Sequence, residues 1–511
     1  MSVTPNPLRS GLEGDRTGDA CAVVIFGASG DLTKRKLMPA LYNLAISRVL
    51  PGSFAVVGVS RKPLANEAFR GEMREGVSTF SRRKPIDGTL WGDFEKGISY
   101  APGEFGDPAT YEGLRTHLEA VDKERGTRGN RLFYLAVPPS EFGPILRGLR
   151  QAGLVSDSAE GPWTRVVVEK PFGHDLPSAR GLNDMIAATF REEQVFRIDH
   201  YLGKETVQNL LVFRFANSLF EPLWNREHVD HVQITVAEEI GVEGRGKFYE
   251  QTGVTKDIVE NHLMQLLCLT AMEPPISLSA DAVRDEKVKV LRSLRPMERR
   301  VVAENVVRGQ YGRGFVRADE VPSYREEPDV AKDSRVDTYV AMKVKVDNWR
   351  WGGVPFYIRA GKRMARRVTE IAVTFKQVPH TLFRSPDGGI TPNVLAVRVQ
   401  PDEGIALRFI SKEPGQHTIL RDVAMDFRYG SSFGSNTPEA YERLLLDAMR
   451  GDATLFTRRD EVEEQWAWMD HVFDAWRASG VTPPPVYPSG SWGPEAADDL
   501  LAKDGRRWRK P

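Results

Sequence analysis

Three segments of this 511-residue chain bring together side chains that can do chemistry. The first, Phe196-Arg197-Ile198-Asp199-His200-Tyr201-Leu202-Gly203-Lys204-Glu205, places carboxylates, an imidazole, a phenol and an ammonium within ten positions. His200, Tyr201 and Lys204 carry the donors needed to hold a phosphate monoester, and Asp199 has the carboxylate to orient a neighbouring base. A charged turn between domains has the same composition, so this segment alone leaves both readings open. The second is Thr255-Lys256-Asp257-Ile258-Val259-Glu260-Asn261-His262-Leu263-Met264-Gln265. Asp257 and Asn261 are four apart and share a face of an α-helix. His262 is five from Asp257, about 140° around such a helix, so the two are not expected to pair. An imidazole titrates near neutral pH and suits removal of a hydroxyl proton. A base at His262 needs its carboxylate from elsewhere, and Asp199 is a candidate. By itself a helical histidine is more often structural. HExxH spacing is absent, and no metal site is expected.

The third segment is Gly27-Ala28-Ser29-Gly30, between a buried-type strand and a helical pattern. Glycines there let a backbone approach a pyrophosphate, and the following helix start presents amides and partial positive charge. The turn departs from G-x-G-x-x-G, so a plain helix-capping turn is the competing reading. The next strand ends Gly58-Val59-Ser60-Arg61-Lys62, with no acid for a ribose 2′-hydroxyl and two cations instead. Arg61 can grip a 2′-phosphate, which points to NADP rather than NAD. Gly241 to Phe248 matches the P-loop pattern up to its last position, where Phe248 replaces the magnesium-binding Ser or Thr. A glycine loop is the better reading of it.

Positioning these groups requires two kinds of architecture. Cys21–Phe26, Phe54–Val59, Arg131–Val137 and Arg165–Glu169 are short apolar runs separated by helical segments, which predicts an open parallel sheet. After residue 200 the strands alternate: 231–236, 338–346, 370–375 and 394–399. Alternation predicts an antiparallel sheet with one wet face, flanked by helices over 255–272 and 439–450. The expected division is a disordered arm over 1–20, a Rossmann-like doubly wound α/β domain over 21–199 and a larger α+β domain over 200–511.

Composition bounds the rest. Hydrophobic residues make up 41 % of the chain, and 70 basic residues balance 70 acidic ones. Wholesale disorder is excluded, and a nucleic-acid surface spread over the whole chain is not expected. Two cysteines, Cys21 and Cys268, cannot build a disulfide scaffold and fit a reducing cytoplasm. No apolar run is long enough to span a membrane.

In these blocks the sequence resembles the glucose-6-phosphate dehydrogenase family. The resemblance runs through Gly27 to Leu37, Glu169-Lys170-Pro171-Phe172-Gly173, Arg197 to Glu205, Glu243-Gly244-Arg245-Gly246, Asp257 to His262, Arg284-Asp285-Glu286-Lys287-Val288 and Gly353-Val354-Pro355-Phe356. It implies oxidation of glucose 6-phosphate at C1 to 6-phosphogluconolactone, with hydride passing to NADP, at the entry of the oxidative pentose phosphate pathway. It implies that His262 is the general base and that Asp199 pairs with it. His200, Tyr201 and Lys204 match phosphate-binding positions. Lys170 matches a lysine touching substrate and coenzyme, and Glu238 and Asp257 match carboxylates that hold sugar hydroxyls. Lys362 and Arg367 match substrate-side cations. Gly27, Ser29, Gly30, Asp31, Leu32, Arg61 and Tyr134 fall on the coenzyme side. A homodimer or homotetramer built on the larger domain is implied as well. Two other readings stay open: a Rossmann oxidoreductase acting on a different sugar, and a catalytically silent NADP-binding sensor.

Overall fold

The computed structural model describes residues 17–156, 161–383, 390–434, 437–479 and 483–511. Most of the expected N-terminal arm, residues 1–16, lies outside the described residues. Residues 17–20 depart from the expectation of disorder. The Gly18 N–H donates to the Val49 carbonyl at 3.1 Å, and the Ala20 carbonyl accepts from Asn130 Nδ2 at 2.8 Å.

The chain forms two compact units and passes between them more than once. One takes the residues up to Phe172, Arg180–Gly203 and Pro438–Arg459; the other takes Gly173–Ala179, Lys204–Thr437 and Asp460–Pro511. A single division at residue 199 is therefore too simple. The helix Ala440–Arg450 was expected in the larger domain and belongs to the first unit. Its Glu442 accepts from Asn43 at 3.1 Å and from Arg82 at 2.6 Å, and the carbonyls of Ala448 and Met449 accept from Arg165. Such long-range polar contacts leave no local pattern in sequence.

The first unit is built on six parallel strands: β1 (Cys21–Phe26), β2 (Phe54–Ser60), β3 (Ile98–Pro102), β4 (Arg131–Leu135), β5 (Thr164–Glu169) and β6 (Val195–Ile198). Their order is β3-β2-β1-β4-β5-β6. This is the dinucleotide-binding order, whose switch point lies between β1 and β4. β1, β2 and β4 are buried along their whole length, as continuous apolar runs predict. Four of the six were expected. β3 alternates buried and half-buried residues and ends on a proline, and β6 has only four residues, so neither shows the buried-run signal.

The second unit carries a ten-stranded sheet. Its strands are β7 (Val229–Ala237), β8 (Val306–Val316), β9 (Asp319–Val321), β10 (Tyr339–Lys345), β11 (Pro355–Gly361), β12 (Val368–Phe375), β13 (Val394–Gln400), β14 (Gly404–Lys412), β15 (Leu420–Arg428) and β16 (Val486–Ser489). The path runs β15-β14-β13-β12-β7-β11-β10-β8-β16, with β9 on β8. Most pairs are antiparallel; β7 with β11 and β8 with β16 are parallel. The single wet face does not hold at the centre. β11 is buried throughout, and β7 and β12 all but one residue each. Polar residues at alternate positions, such as Gln233, Thr235 and Arg359, are satisfied inside: Gln233 and Arg359 bond the carbonyls of Arg507 and Arg509, and Arg359 donates to Thr235. Alternation here marks internal hydrogen bonding rather than solvent.

Candidate active site

In the first unit the functional groups gather where the parallel strands end. After β1 the chain turns at Gly27, with φ +82°. A Cβ there would sit 2.3 Å from the Ala136 carbonyl oxygen, so backbone conformation and space both require glycine. The Gly27 and Ala28 amides donate to the Val59 carbonyl at the end of β2, and the Gly30 amide closes onto the Gly27 carbonyl at 2.9 Å. Ser29 Oγ lies 2.7 Å from Ser60 Oγ, which ties the turn to the end of β2. Ser29, Gly30 and Asp31 are exposed and Leu32 half-exposed, so the first turn of the next helix presents its amides to an anion. That helix carries a wide π turn over Thr33–Leu37 before Met38–Ile46. Arg61 follows β2, mostly exposed, 3.9 Å from Glu141 and 5.9 Å above the Phe105 ring. An exposed ion pair holds a side chain weakly, so the guanidinium can turn to a phosphate. A turn only glycine can make, exposed first-turn amides and a weakly held cation together fit an NADP.

Tyr134 lies deep in β4, where its hydroxyl donates to Glu169 Oε1 at 2.5 Å. The Tyr441 hydroxyl donates to the same oxygen at 3.1 Å. Burial raises the Glu169 carboxyl above its usual range, and the two phenols and Lys170 offset part of that. Glu169 and Tyr441 were not singled out from sequence; only the fold brings residues 272 apart in sequence together. Lys170 follows β5 directly. Asp199, 2 % exposed, follows β6 and accepts the Tyr201 N–H at 2.9 Å, which fixes the turn that carries His200 and Tyr201. The His200 and Tyr201 rings meet edge to face at 5.1 Å.

In the second unit two clusters stand out. Glu238 and Lys362 directly follow β7 and β11, whose ends pair in parallel as Ala237 with Gly361. Their side chains form an ion pair at 2.5 Å, and Lys362 Nζ lies 5.2 Å above the Tyr249 ring. Tyr249 is buried; burial and the nearby Asp257 and Glu238 carboxylates raise its phenol well above the usual value. In the other cluster Lys204 Nζ and Arg367 Nη2 both donate to Gln400 Oε1, at 2.6 and 3.3 Å. Gln400 Nε2 donates to Thr369 Oγ1 at 3.0 Å, which fixes the amide with its oxygen toward the cations. The two cations converge on one neutral oxygen, an arrangement of donors suited to a phosphate. Gln400 was missed because glutamine on a strand end carries no chemical signature of its own.

His262 is buried on the segment Thr255–Leu263, which is π-helical rather than α-helical. The Met264 amide reaches back to the Val259 carbonyl, five residues earlier, as well as to that of Asn261. Bonding of this kind winds about 82° per residue, so residues five apart lie about 50° apart rather than 140°. The α-helical expectation for Asp257 and His262 is therefore corrected: they share a face. The P-loop-like stretch is a turn with positive φ at Glu243 and Gly244, and a helix begins at Gly246.

The family model described as the glucose-6-phosphate dehydrogenase NAD binding domain matches residues 24–209, and that of the C-terminal domain of the same family matches 211–509. A glucose-6-phosphate 1-dehydrogenase of Chlamydia muridarum is 49 % identical over 495 residues, covering 96 % of each chain. A glucose-6-phosphate 1-dehydrogenase of Bacillus subtilis is 45 % identical, covering 95 % of this chain and 97 % of its own. A solved glucose-6-phosphate dehydrogenase in complex with its substrate glucose 6-phosphate superposes with a TM-score of 0.88 at 36 % identity, covering 97 % of this chain and 99 % of that one. With both halves matched in order, and with relatives alike over nearly their whole length, this chain belongs to the glucose-6-phosphate dehydrogenase family.

Proposed function

We propose that this chain oxidises glucose 6-phosphate at C1 with His262 as its base. It is an oxidoreductase that forms 6-phosphoglucono-1,5-lactone and NADPH, the first step of the oxidative pentose phosphate pathway. The observation that carries the reading is positional. In each unit several of the groups assigned to the ligands follow the carboxyl ends of parallel-paired strands: the glycine turn after β1, Arg61 after β2, Lys170 after β5, Asp199 after β6, and Glu238 and Lys362 after β7 and β11. Ligands of an open parallel sheet such as the first unit's bind outside those ends.

NADP, when bound, supplies the nicotinamide carbon that accepts the hydride. The chain supplies the rest. Gly27, Ser29, Gly30, Asp31 and Leu32 receive the pyrophosphate, and Arg61 takes the 2′-phosphate. His200, Tyr201, Lys204 and Arg367 take the substrate phosphate, whose remote binding energy aligns C1. Glu238, Asp257 and Lys362 hold sugar hydroxyls, and Lys170 serves both ligands. An imidazole nitrogen of His262 takes the C1 hydroxyl proton as the C1–H bond gives up its hydride, so that the C1–O bond becomes a carbonyl. Asp199 supports the imidazolium that results. Tyr134 joins this set as a coenzyme-side residue acting from the end of β4, with Glu169 holding its hydroxyl.

The protein works in the cytoplasm as a homodimer or homotetramer. No helix among the described residues is long and apolar enough to cross a membrane. The outer strand β15 leaves Val423 and Met425 exposed on one face of the sheet, which supports assembly through that face; size-exclusion chromatography with light scattering tests it, and a monomer rejects it. The activity is tested by absorbance at 340 nm with glucose 6-phosphate and either coenzyme. Rapid reduction of NADP and slow reduction of NAD are expected. No reduction of either by folded protein rejects the reading in favour of a binding sensor.

A further inference from the structure

We propose that two buried carboxylates, Asp337 and Glu461, clamp the His262 segment at both ends and hold it in its wide π register, so that Asp337, Gln265, Lys287 and Glu461 are positioning residues for the reaction. The proposal rests on His262 as the base.

The N-terminal clamp is formed at Asp337, just before β10. Its Oδ2 accepts the Thr255 amide at 3.0 Å and the Thr255 hydroxyl at 2.5 Å, and its carbonyl accepts the Val254 amide at 2.8 Å. A carboxylate at a helix start is also favoured by the helix dipole. The preceding residue, Gly253, has φ +60° and ψ 177°, and a Cβ there would lie 3.0 Å from Asp337 Oδ1. Glycine is what lets the chain enter the clamp.

The C-terminal clamp is formed at Gln265. Lys287 Nζ lies 2.7 Å from Glu461 Oε2, with the two side chains 1 % and 0 % exposed. Gln265 bridges them: its oxygen accepts from Lys287 at 3.1 Å and its amide donates to Glu461 at 3.4 Å. Three helices, over 264–271, 280–292 and 459–478, are thereby locked at one charged point. A buried pair of this kind adds little stability over apolar residues of equal size, and a role in fixing register is its best-attested use.

Between Thr255 and Gln265 the ends are set by contacts with the rest of the unit. An α-helix, rising more per residue, would span the same ends with fewer residues. The surplus is taken up as the π winding, which brings His262 onto the Asp257 face. Unclamped, the segment relaxes toward α-helical winding and His262 swings about 90° away from that face.

The test is the double variant Lys287→Met with Glu461→Leu, which removes both charges and keeps the volume. The expected result is folded protein with kcat for glucose 6-phosphate lowered at least tenfold, the KM for NADP unchanged, and faster amide hydrogen exchange in a peptide covering 255–264. Wild-type kcat and unchanged exchange overturn the proposal. Should the double variant fail to fold, Gln265→Leu keeps the ion pair and removes only the bridge, with the same two readouts expected. Asp337→Asn retains an acceptor for Thr255 and is expected to stay within a few-fold of wild type, whereas Asp337→Ala is expected to behave like the double variant. Equal activity of Asn and Ala at 337 overturns the N-terminal clamp. His262→Asn separates the two claims: if it retains turnover, the base assignment fails, while hydrogen exchange still decides the clamp.

Discussion

The coenzyme turn of the first unit and the His262 segment of the second solve opposite problems. The turn is exposed and made of backbone. Its shape follows from a glycine that nothing else can replace and from strands that end in register. The His262 segment is buried and irregular, and side chains far away in sequence hold it. A backbone device survives changes in its neighbours but offers little chemical choice. A clamped helix can aim one imidazole, at the expense of dependence on several buried charges.

The difference is broken most directly at His262. His262→Asn is expected to lower kcat by about 10²–10⁴-fold, the usual contribution of a general base, and to leave NADP binding by calorimetry unchanged. A similar loss of NADP binding would mean that the two regions are not separable. Next in size is Arg61→Ala. Loss of a charge-assisted contact worth about 1.5–3 kcal/mol lowers kcat/KM for NADP by about 10–100-fold and leaves that for NAD near wild type. A parallel drop with both coenzymes would remove Arg61 from the 2′-phosphate.

Gly27→Ala tests the backbone device itself. Forcing a Cβ against the Ala136 carbonyl, at positive φ, costs on the order of 1–3 kcal/mol, seen as a lower Tm and weaker NADP binding. An alanine variant with wild-type Tm and affinity would show that the turn has other conformations open to it.

The smallest effect concerns pH. Burial pushes the Asp447 carboxyl up to about 6, from its ordinary value of 3.8, with Arg443 pulling it partly back. A raised carboxyl pKa favours folding with the proton on. That contribution is fully present below the unfolded value near 3.8 and is lost as pH rises through about 6. Asp447→Asn is therefore expected to stabilise the protein at pH 7–8 by on the order of 1 kcal/mol, less as the pH falls toward 5. A Tm difference between variant and wild type that does not change with pH would show that the carboxyl is ionised throughout.

Much of this was legible in the residues. Continuous apolar runs announced β1, β2, β4 and β5, because strands covered on both faces admit little else. Gly27 was readable because the backbone conformation of a tight turn is decided within a few residues. Other features were not. β3 and β6 are too short or too mixed to show a period, and the polar face of β7 looked wet although its partners are inside. Helix 440–450 joins the first unit through contacts such as Asn43 with Glu442 that no local pattern encodes.

The sequence by itself determined the family and the reaction and named the candidate reacting groups, because chemistry depends on residue type and on short spacings along the chain. The tertiary structure alone decided how those groups are aimed. Glu169 receives two phenols, Gln400 draws Lys204 and Arg367 to one oxygen, and the segment carrying His262 winds as a π-helix. Each of these depends on where distant buried charges and hydrogen-bond partners sit in space, and burial makes such contacts strong enough to override the local preference of the chain.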